Sequence, residues 1–458
     1  MISFTGFDDV IKRVYDNSQG HVFEYWDELD ENQRKELLEQ LADVDFELLK
    51  KNYESAATEI DMDYGAAPYI AIPESDDDKR KYEEAKEAGI DYIKNGSVAA
   101  FVVAGGQGSR LGYDGPKGKY PVGPISNKTL FQIHGEKIKK YSIKYGVTIP
   151  WLIMTSRLNH EETVEYLSGN NFFGIDKDDV KIFPQNMIPS LDGEGKLVLE
   201  SMFTIFKNPD GHGGSLTALK TSGCLDWLKS RGIETISYFQ VDNPLVKIID
   251  PVFIGFHIER GALVSSKAVK KTIPAEKVGV FVRYSDKSFG MVEYSDLPKE
   301  KMDMRDDKGG LVYSLGNPAI HIFQRNFVEK ITASHEVSLP FHRARKKINA
   351  FKNGKTVEIE GLKFEKFVFD ALPMTDKNLI FETLRREEFA PVKNASGVDS
   401  VESAREMMMD LFNGWLDKRG IKVLHDLKRI EISPLVAVDY DDIDESIEIP
   451  DIEDVYLK

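Results

Sequence analysis

Residues 98–121, VAAFVVAGGQGSRLGYDGPKGKYP, constrain this chain more than any other stretch. Val98 to Ala104 is an unbroken apolar run, the pattern of a strand buried on both faces of a parallel sheet. It opens directly into Gly105, Gly106 and Gly108, with Arg110 and Lys117 close behind. Glycines after a strand let backbone N–H groups approach a ligand with no side chain between. Successive N–H groups in such a turn form a concave anion site, and an arginine and a lysine behind it fit a polyphosphate. The stretch therefore predicts a nucleotide-phosphate loop. Neither common version matches. Leu111 stands where G-x-G-x-x-G needs its third glycine, and a Walker A loop would need glycine at Tyr113 and Ser or Thr at Tyr120.

From Val98 onward apolar strands alternate with helical segments. Strands are expected at 98–104, 151–156 and 236–241, with less uniform runs at 278–284, 289–294 and 319–323. This alternation predicts an α/β fold, a three-layer Rossmann-like domain around a mixed, mostly parallel sheet. Ligands in such sheets bind beyond the C-terminal strand ends, so the glycine loop and Asp242-Asn243 should face one crevice. The first 95 or so residues read as helical support. Asp30 and Gln33 resemble a capping box, Leu37, Leu41, Val44 and Leu48 recur at helical spacing, and 76–95 forms a second, charged helix. After about residue 395, a helix at 402–418 and short apolar segments through LHDLKRIEISPLVAV read as a small C-terminal domain. The expected organisation is thus 1–95, 96–395 and 396–458.

The net charge of −16 argues against nucleic acid as a partner, since phosphate backbones select basic surfaces. No run approaches the roughly 18 apolar residues of a membrane span, and the N-terminus lacks the pattern of a signal peptide. The single cysteine, Cys224, excludes an internal disulfide and fits a reducing, cytoplasmic setting. Residues 439–454 are mostly acidic and read as a solvated face.

The glycine loop resembles the signature loop of the nucleotide-sugar pyrophosphorylases, G-G-x-G-[ST]-R-L-G followed by Pro-Lys. Further blocks occur in order: FPQNMIP (183–189), PDGHGG (209–214), VDNPLVKIIDPVFIGF (241–256), VGV (278–280), VEYS (292–295), GNPAIHIF (316–323), LPFHRARKKI (339–348), KFEKFVFDAL (363–372) and APVKNA (390–395). Each resembles a block of the eukaryotic-type UDP-N-acetylhexosamine pyrophosphorylases, as do HVFEYWDEL (21–29) and EISPL (431–435). The resemblance implies a nucleotide-sugar transferase (GT-A-like) central domain. It also implies attack by a sugar 1-phosphate oxygen on the α-phosphorus of UTP, with release of pyrophosphate. The nucleophile is already an anion, so catalysis must consist of alignment, Mg²⁺ (or Mn²⁺) and cationic side chains.

On that resemblance Asp242, directly after ISYFQV, is the expected metal ligand, although a strand-end aspartate also commonly caps the next turn. Arg110 and Lys117 are expected on the pyrophosphate and α-phosphate, and Lys393 and Lys363 on the sugar phosphate. Uracil is expected to meet the backbone of Ala104, Gly105 and Gly106 and the amide of Gln185, with Gly211 letting the backbone approach. The implied sugar contacts are Asn243, Gly279, Glu293, Asn317, Phe367 and Phe369. KFVFDAL also alternates as a strand would, with both phenylalanines on one face. The chain departs from the hexosamine branch at His212, where Asn is usual and where hexose-using relatives carry His. N-acetylglucosamine 1-phosphate is the expected sugar; glucose 1-phosphate or several sugars is the alternative. A binding protein without turnover would not require Arg110, Lys117, Asp242 and Lys393 together, and a glycosyltransferase would normally show Asp-x-Asp where this chain has Asp242-Asn243.

Overall fold

In the computed structural model, which describes residues 2–54, 63–334, 338–421, 429–450 and 452–458, the apolar run becomes strand Val98–Val103, with five of its six residues buried. Thr235–Gln240 and Trp151–Thr155 flank it, both parallel, and Val180–Pro184 extends the parallel set. On the other side, His321–Gln324 runs antiparallel between Thr235–Gln240 and Val264–Lys270. Leu315–Gly316, Val280–Tyr284 and Tyr64–Ala66 follow outward, all antiparallel to their neighbours. Phe289–Val292 pairs with Val280–Tyr284, and Asn378–Glu382 lies parallel to Val264–Lys270. The sheet is mixed, and its parallel strands carry the glycine loop.

This sheet belongs to the larger of two units, Asp61–Pro184, Ala218–Thr332 and Phe369–Lys458. Helices Asp76–Lys94, Leu130–Tyr145, Pro251–Glu259 and Val401–Lys418 contribute buried side chains to the same core as the parallel strands. Asp76–Lys94 starts at a Ser75/Asp78 capping box and crosses Pro251–Glu259 at two glycines. A Cβ on Gly89 would stand 1.9 Å from the Pro251 carbonyl oxygen, and one on Gly255 1.8 Å from that of Ala85. The charged helix is thus locked to the core by backbone contact rather than by its charges.

The smaller unit gathers Met1–Ile60, Gln185–Thr217 and Ala333–Val368. Its helices Asp8–Asp16, Glu31–Ala42 and Phe46–Glu54 accompany a long hairpin, His342–Lys352 with Lys355–Glu365. The Asp30/Gln33 capping box is present. Val22, Phe23, Tyr25, Trp26 and Leu29 of the HVFEYWDEL block are all buried, each such burial contributing roughly 1.5–3 kcal/mol.

These units do not follow three consecutive stretches. The N-terminal region divides between them, and Tyr64–Ala66 is a strand within it. Helix Val401–Lys418 and strand Arg429–Ile432 lie within the larger unit, sharing its core through Met408, Phe412, Trp415, Ile430 and Ile432. Glu431 of EISPL is buried and accepts from the N–H groups of Ile125 and Ser126, each at 2.7 Å, so that block anchors the loop after the Pro-Lys signature. Part of LHDLKRIEISPLVAV, residues 424–428, lies outside the described residues. Lys355–Glu365 ends before Phe367, and a 3₁₀ helix follows at Val368–Met374, so KFVFDAL is not a strand.

Candidate active site

In the larger unit the register builds the site. Val103 pairs with Gln240 across the parallel strands, which delivers Gly105 and Asp242, each two residues further, to the same sheet edge. The loop then folds back: Gly108 N donates to Gly115 O at 2.9 Å and Lys117 N to Gly106 O at 3.0 Å. Lys117 returns to the strand end in this way, its Nζ 3.4 Å from Asp242 Oδ2, with both side chains largely withdrawn from solvent. Arg110 is exposed.

Three residues the sequence reading missed hold this edge. Asn159, fully buried, donates Nδ2 to Ala104 O at 3.0 Å and to Gly106 O at 3.3 Å. Its Oδ1 accepts from Ser156 N and Oγ at 2.8 and 3.0 Å. One side chain thus ties the end of strand Trp151–Thr155 to the glycine loop. On helix Leu130–Tyr145, His134 Nε2 bonds Val241 O at 2.9 Å, and Lys137 Nζ donates to Pro244 O and Val246 O at 2.6 and 2.9 Å. Burial draws the Lys137 ammonium down to about 7 and the His134 ring down to about 3, so that ring stays neutral. Asn159 alone had a local signal, its position just past WLIMTS. The helix residues had none beyond an ordinary amphipathic pattern.

Asn243 is buried and turned inward: Nδ2 donates to Glu388 O at 2.7 Å, while Oδ1 accepts from Ala390 N at 3.1 Å and Leu245 N at 3.3 Å. Val392 N bonds Asp242 O at 2.9 Å. The segment bearing Lys393 is therefore stitched to the one bearing Asp242. Beneath it Glu388 meets fully buried Lys267 at 2.6 Å and accepts from Thr383 Oγ1 at 2.6 Å; Lys267 also meets Asp250 at 2.6 Å. Lys393 itself is half-exposed, with Phe389 5.6 Å from its Nζ.

Antiparallel register collects three predicted sugar contacts. Val280 pairs with both Val292 and Gly316, so Gly279 lies opposite Glu293 and Asn317. Asn317 N donates to Gly279 O at 2.9 Å, and Asn317 Oδ1 accepts from Ala319 N at 2.8 Å. Glu293 is partly buried, and that burial, aided by Asp296 and Asp370, raises its carboxyl above the usual range. Phe369 is buried in the Val368–Met374 turn.

The remaining predicted residues lie in the smaller unit. Gln185 is buried and donates Nε2 to Asp210 Oδ1 at 3.0 Å and to Gly211 O at 2.6 Å. Gly211 sits at φ +82°, and a Cβ there would stand 2.4 Å from Lys366 O, so only glycine fits. Gly213 N donates to Lys366 O at 2.8 Å, and Lys366 N to Asp210 O at 2.7 Å. Burial pushes the Asp210 carboxyl up to about 6 and, with His342 adding to it, draws the His212 ring down to about 4. His212 Nδ1 accepts from Val368 N at 3.2 Å, and its ring lies 5.4 Å from that of Phe367, which in turn is 4.6 Å from His342. Lys363 stands on Lys355–Glu365, its Nζ 5.8 Å from the Phe206 ring. Phe367 and Phe369, read from sequence as one face, belong to different units.

Among the described residues no three His, Cys, Asp or Glu side chains form a cation cage. A lone strand-end carboxylate such as Asp242 suits Mg²⁺, which commonly takes one or two carboxylates and completes its shell with substrate phosphates and water. Among the described residues no helix is long and apolar enough to cross a membrane.

Comparison with known proteins identifies the family. UDP-N-acetylglucosamine diphosphorylase 2 of Arabidopsis thaliana is 35% identical over 453 residues, covering 93% of this chain and 89% of its own. The UDP-N-acetylglucosamine pyrophosphorylase of Saccharomyces cerevisiae is 31% identical over 440 residues, covering 91% and 92%. The solved uridine diphosphate N-acetylglucosamine pyrophosphorylase of Trypanosoma brucei superposes with a TM-score of 0.83 at 27% identity, over 100% of this chain and 99% of that one. The family described as UTP--glucose-1-phosphate uridylyltransferase matches residues 57–452, and the chain belongs to that family.

Proposed function

We propose that this protein is a Mg²⁺-dependent uridylyltransferase joining UTP and N-acetylglucosamine 1-phosphate to give UDP-N-acetylglucosamine and pyrophosphate. The observation that carries the reading is the Lys117–Asp242 pair beside the glycine loop at a parallel sheet edge, in a chain whose relatives bear UDP-N-acetylglucosamine pyrophosphorylase names. The reaction runs in a cytosolic setting.

A phosphate oxygen of the sugar 1-phosphate bonds to the α-phosphorus, and the bond from that phosphorus to the β-bridging oxygen breaks. Its electron pair leaves on pyrophosphate. Arg110 and Lys117 offset the charge growing on the leaving group, an effect stronger for Lys117 because it is shielded from water. Lys393 holds the sugar phosphate. Asp242 would hold Mg²⁺, which when bound would neutralise phosphate charge. Gln185 reads uracil, and Glu293 and Asn317 meet sugar hydroxyls.

The test is pyrophosphate release from UTP with a panel of hexose and N-acetylhexosamine 1-phosphates. N-acetylglucosamine 1-phosphate is expected to lead glucose 1-phosphate by roughly ten- to a few-hundred-fold in kcat/KM, the worth of one methyl in an apolar pocket. A preference for glucose 1-phosphate would reverse the sugar assignment and make His212 its reporter.

A further inference from the structure

The Gln185 amide is fixed in one orientation by its surroundings. Both groups facing its nitrogen are acceptors: the Asp210 carboxylate at 3.0 Å and the Gly211 carbonyl at 2.6 Å. A side-chain amide has two N–H donors and one carbonyl acceptor. With both donors spent inward, Gln185 has only its Oε1 to offer, and among the described residues nothing donates to that oxygen. Turning the amide over would set Oε1 against a carboxylate and a carbonyl at once: Gly211 O would keep Gly214 N at 3.0 Å, but the buried Asp210 carboxylate would lose its side-chain donor and face an oxygen.

Asp210 is well placed to enforce this. Its own N–H donates to Asn186 O at 3.2 Å, and its carbonyl accepts from Lys366 N at 2.7 Å. Its carboxylate lies so close to Gly214 that a Cβ there would stand 1.9 Å from Oδ1. Neither the backbone nor the side chain has room to swing away.

We propose that Asp210 is the positioning residue that sets base choice, by turning Gln185 so that it presents an acceptor alone. Uracil carries a donor at N3 and pairs with that oxygen. Cytosine carries a lone pair at N3 and is repelled by it. The inference rests on the reading of Gln185 as the uracil contact and goes beyond it by naming what makes the amide selective.

The experiment measures kcat/KM for UTP and CTP with N-acetylglucosamine 1-phosphate in wild type, Asp210→Asn, Gln185→Met and the double variant, with thermal melting to confirm folding. Wild type is expected to favour UTP by three orders of magnitude or more. The amide introduced by Asp210→Asn can rotate and donate to a turned-over Gln185, so this variant narrows the UTP/CTP ratio by at least tenfold. In the Gln185→Met background the same change should leave the ratio within twofold, because the residue acts through the amide. A ratio unmoved by Asp210→Asn in a folded protein, or moved as much without Gln185, overturns the proposal. If Asp210→Asn does not fold, Gln185→Met alone decides: a collapsed ratio supports the oriented acceptor and an unchanged one refutes it. A wild type preferring CTP or a purine triphosphate would sink the uracil reading itself, whereas a UTP-selective wild type with an unmoved ratio sinks Asp210 only.

Discussion

Asn159→Asp exchanges one atom type and keeps the shape, which makes it the sharpest test of how the glycine loop is held. The native Nδ2 donates to two carbonyl oxygens at 3.0 and 3.3 Å from a site with no solvent exposure. In the variant a carboxylate oxygen faces those carbonyls instead. Two bonds of about 1 kcal/mol each are lost, the buried Ala104 carbonyl is left unpaired while Gly106 O keeps Lys117 N, and a charge is buried without a partner. The sum is about 3–5 kcal/mol, a Tm drop on the order of 10 °C for a unit of this size. The loop carries the predicted phosphate contacts, so KM for UTP should also rise about tenfold or more. The new carboxyl, buried against acceptors, has its folded pKa raised above the unfolded value near 4. Its penalty therefore grows as pH rises from about 4 through the folded pKa, and the variant should approach wild type as pH falls from 7 toward 5. Thermal melts across that range and initial rates against UTP read both effects. A variant melting within 2 °C of wild type at pH 7, with unchanged KM for UTP, would refute the clamp.

Asp242→Asn should lower turnover by about 10²–10⁴ while the fold survives, and near-wild-type rates at saturating Mg²⁺ would remove Asp242 from the mechanism. Lys117→Ala should reduce kcat more than it changes KM for the sugar phosphate, whereas Lys393→Ala should act mainly through that KM; identical kinetic signatures would break the division of roles. His212 is partly buried, and desolvation with His342 beside it draws its ring down to about 4, so it is neutral near pH 7. The unfolded chain thus takes up a proton first as pH falls below about 6.5, and stability is lost from there down through about 4. His212→Asn should remove about 3 kcal/mol of that acid sensitivity, read as a smaller Tm loss between pH 6.5 and 4 than in wild type.

Local pattern alone determined much of this protein. An apolar run needs no partner to be recognised as a buried strand, so Val98–Val103, Trp151–Thr155 and Thr235–Gln240 were legible within a residue. The same holds for helix Val401–Lys418 and for the Asp30/Gln33 capping box, which depend on contacts three or four residues apart. The position of Asp242 beside the glycine loop followed too, because parallel strands bring their C-terminal ends to one edge.

Tertiary structure decided whatever depends on partners distant in sequence. Tyr64–Ala66 is too short to show a period and exists as a strand because Val280–Tyr284 accepts it. The alternation of KFVFDAL is real, yet among the described residues no strand pairs with it, and the backbone turns into a 3₁₀ helix instead. Asn243 follows Asp242 as a ligand-facing residue would, but its amide is spent on Glu388, Leu245 and Ala390, backbone that arrives beside it only on folding. The roles of Asn159 and Asp210 have the same origin. A hydrogen bond joining residues 55 or 25 positions apart leaves no periodic trace, since what fixes each amide is the set of acceptors the fold brings to it.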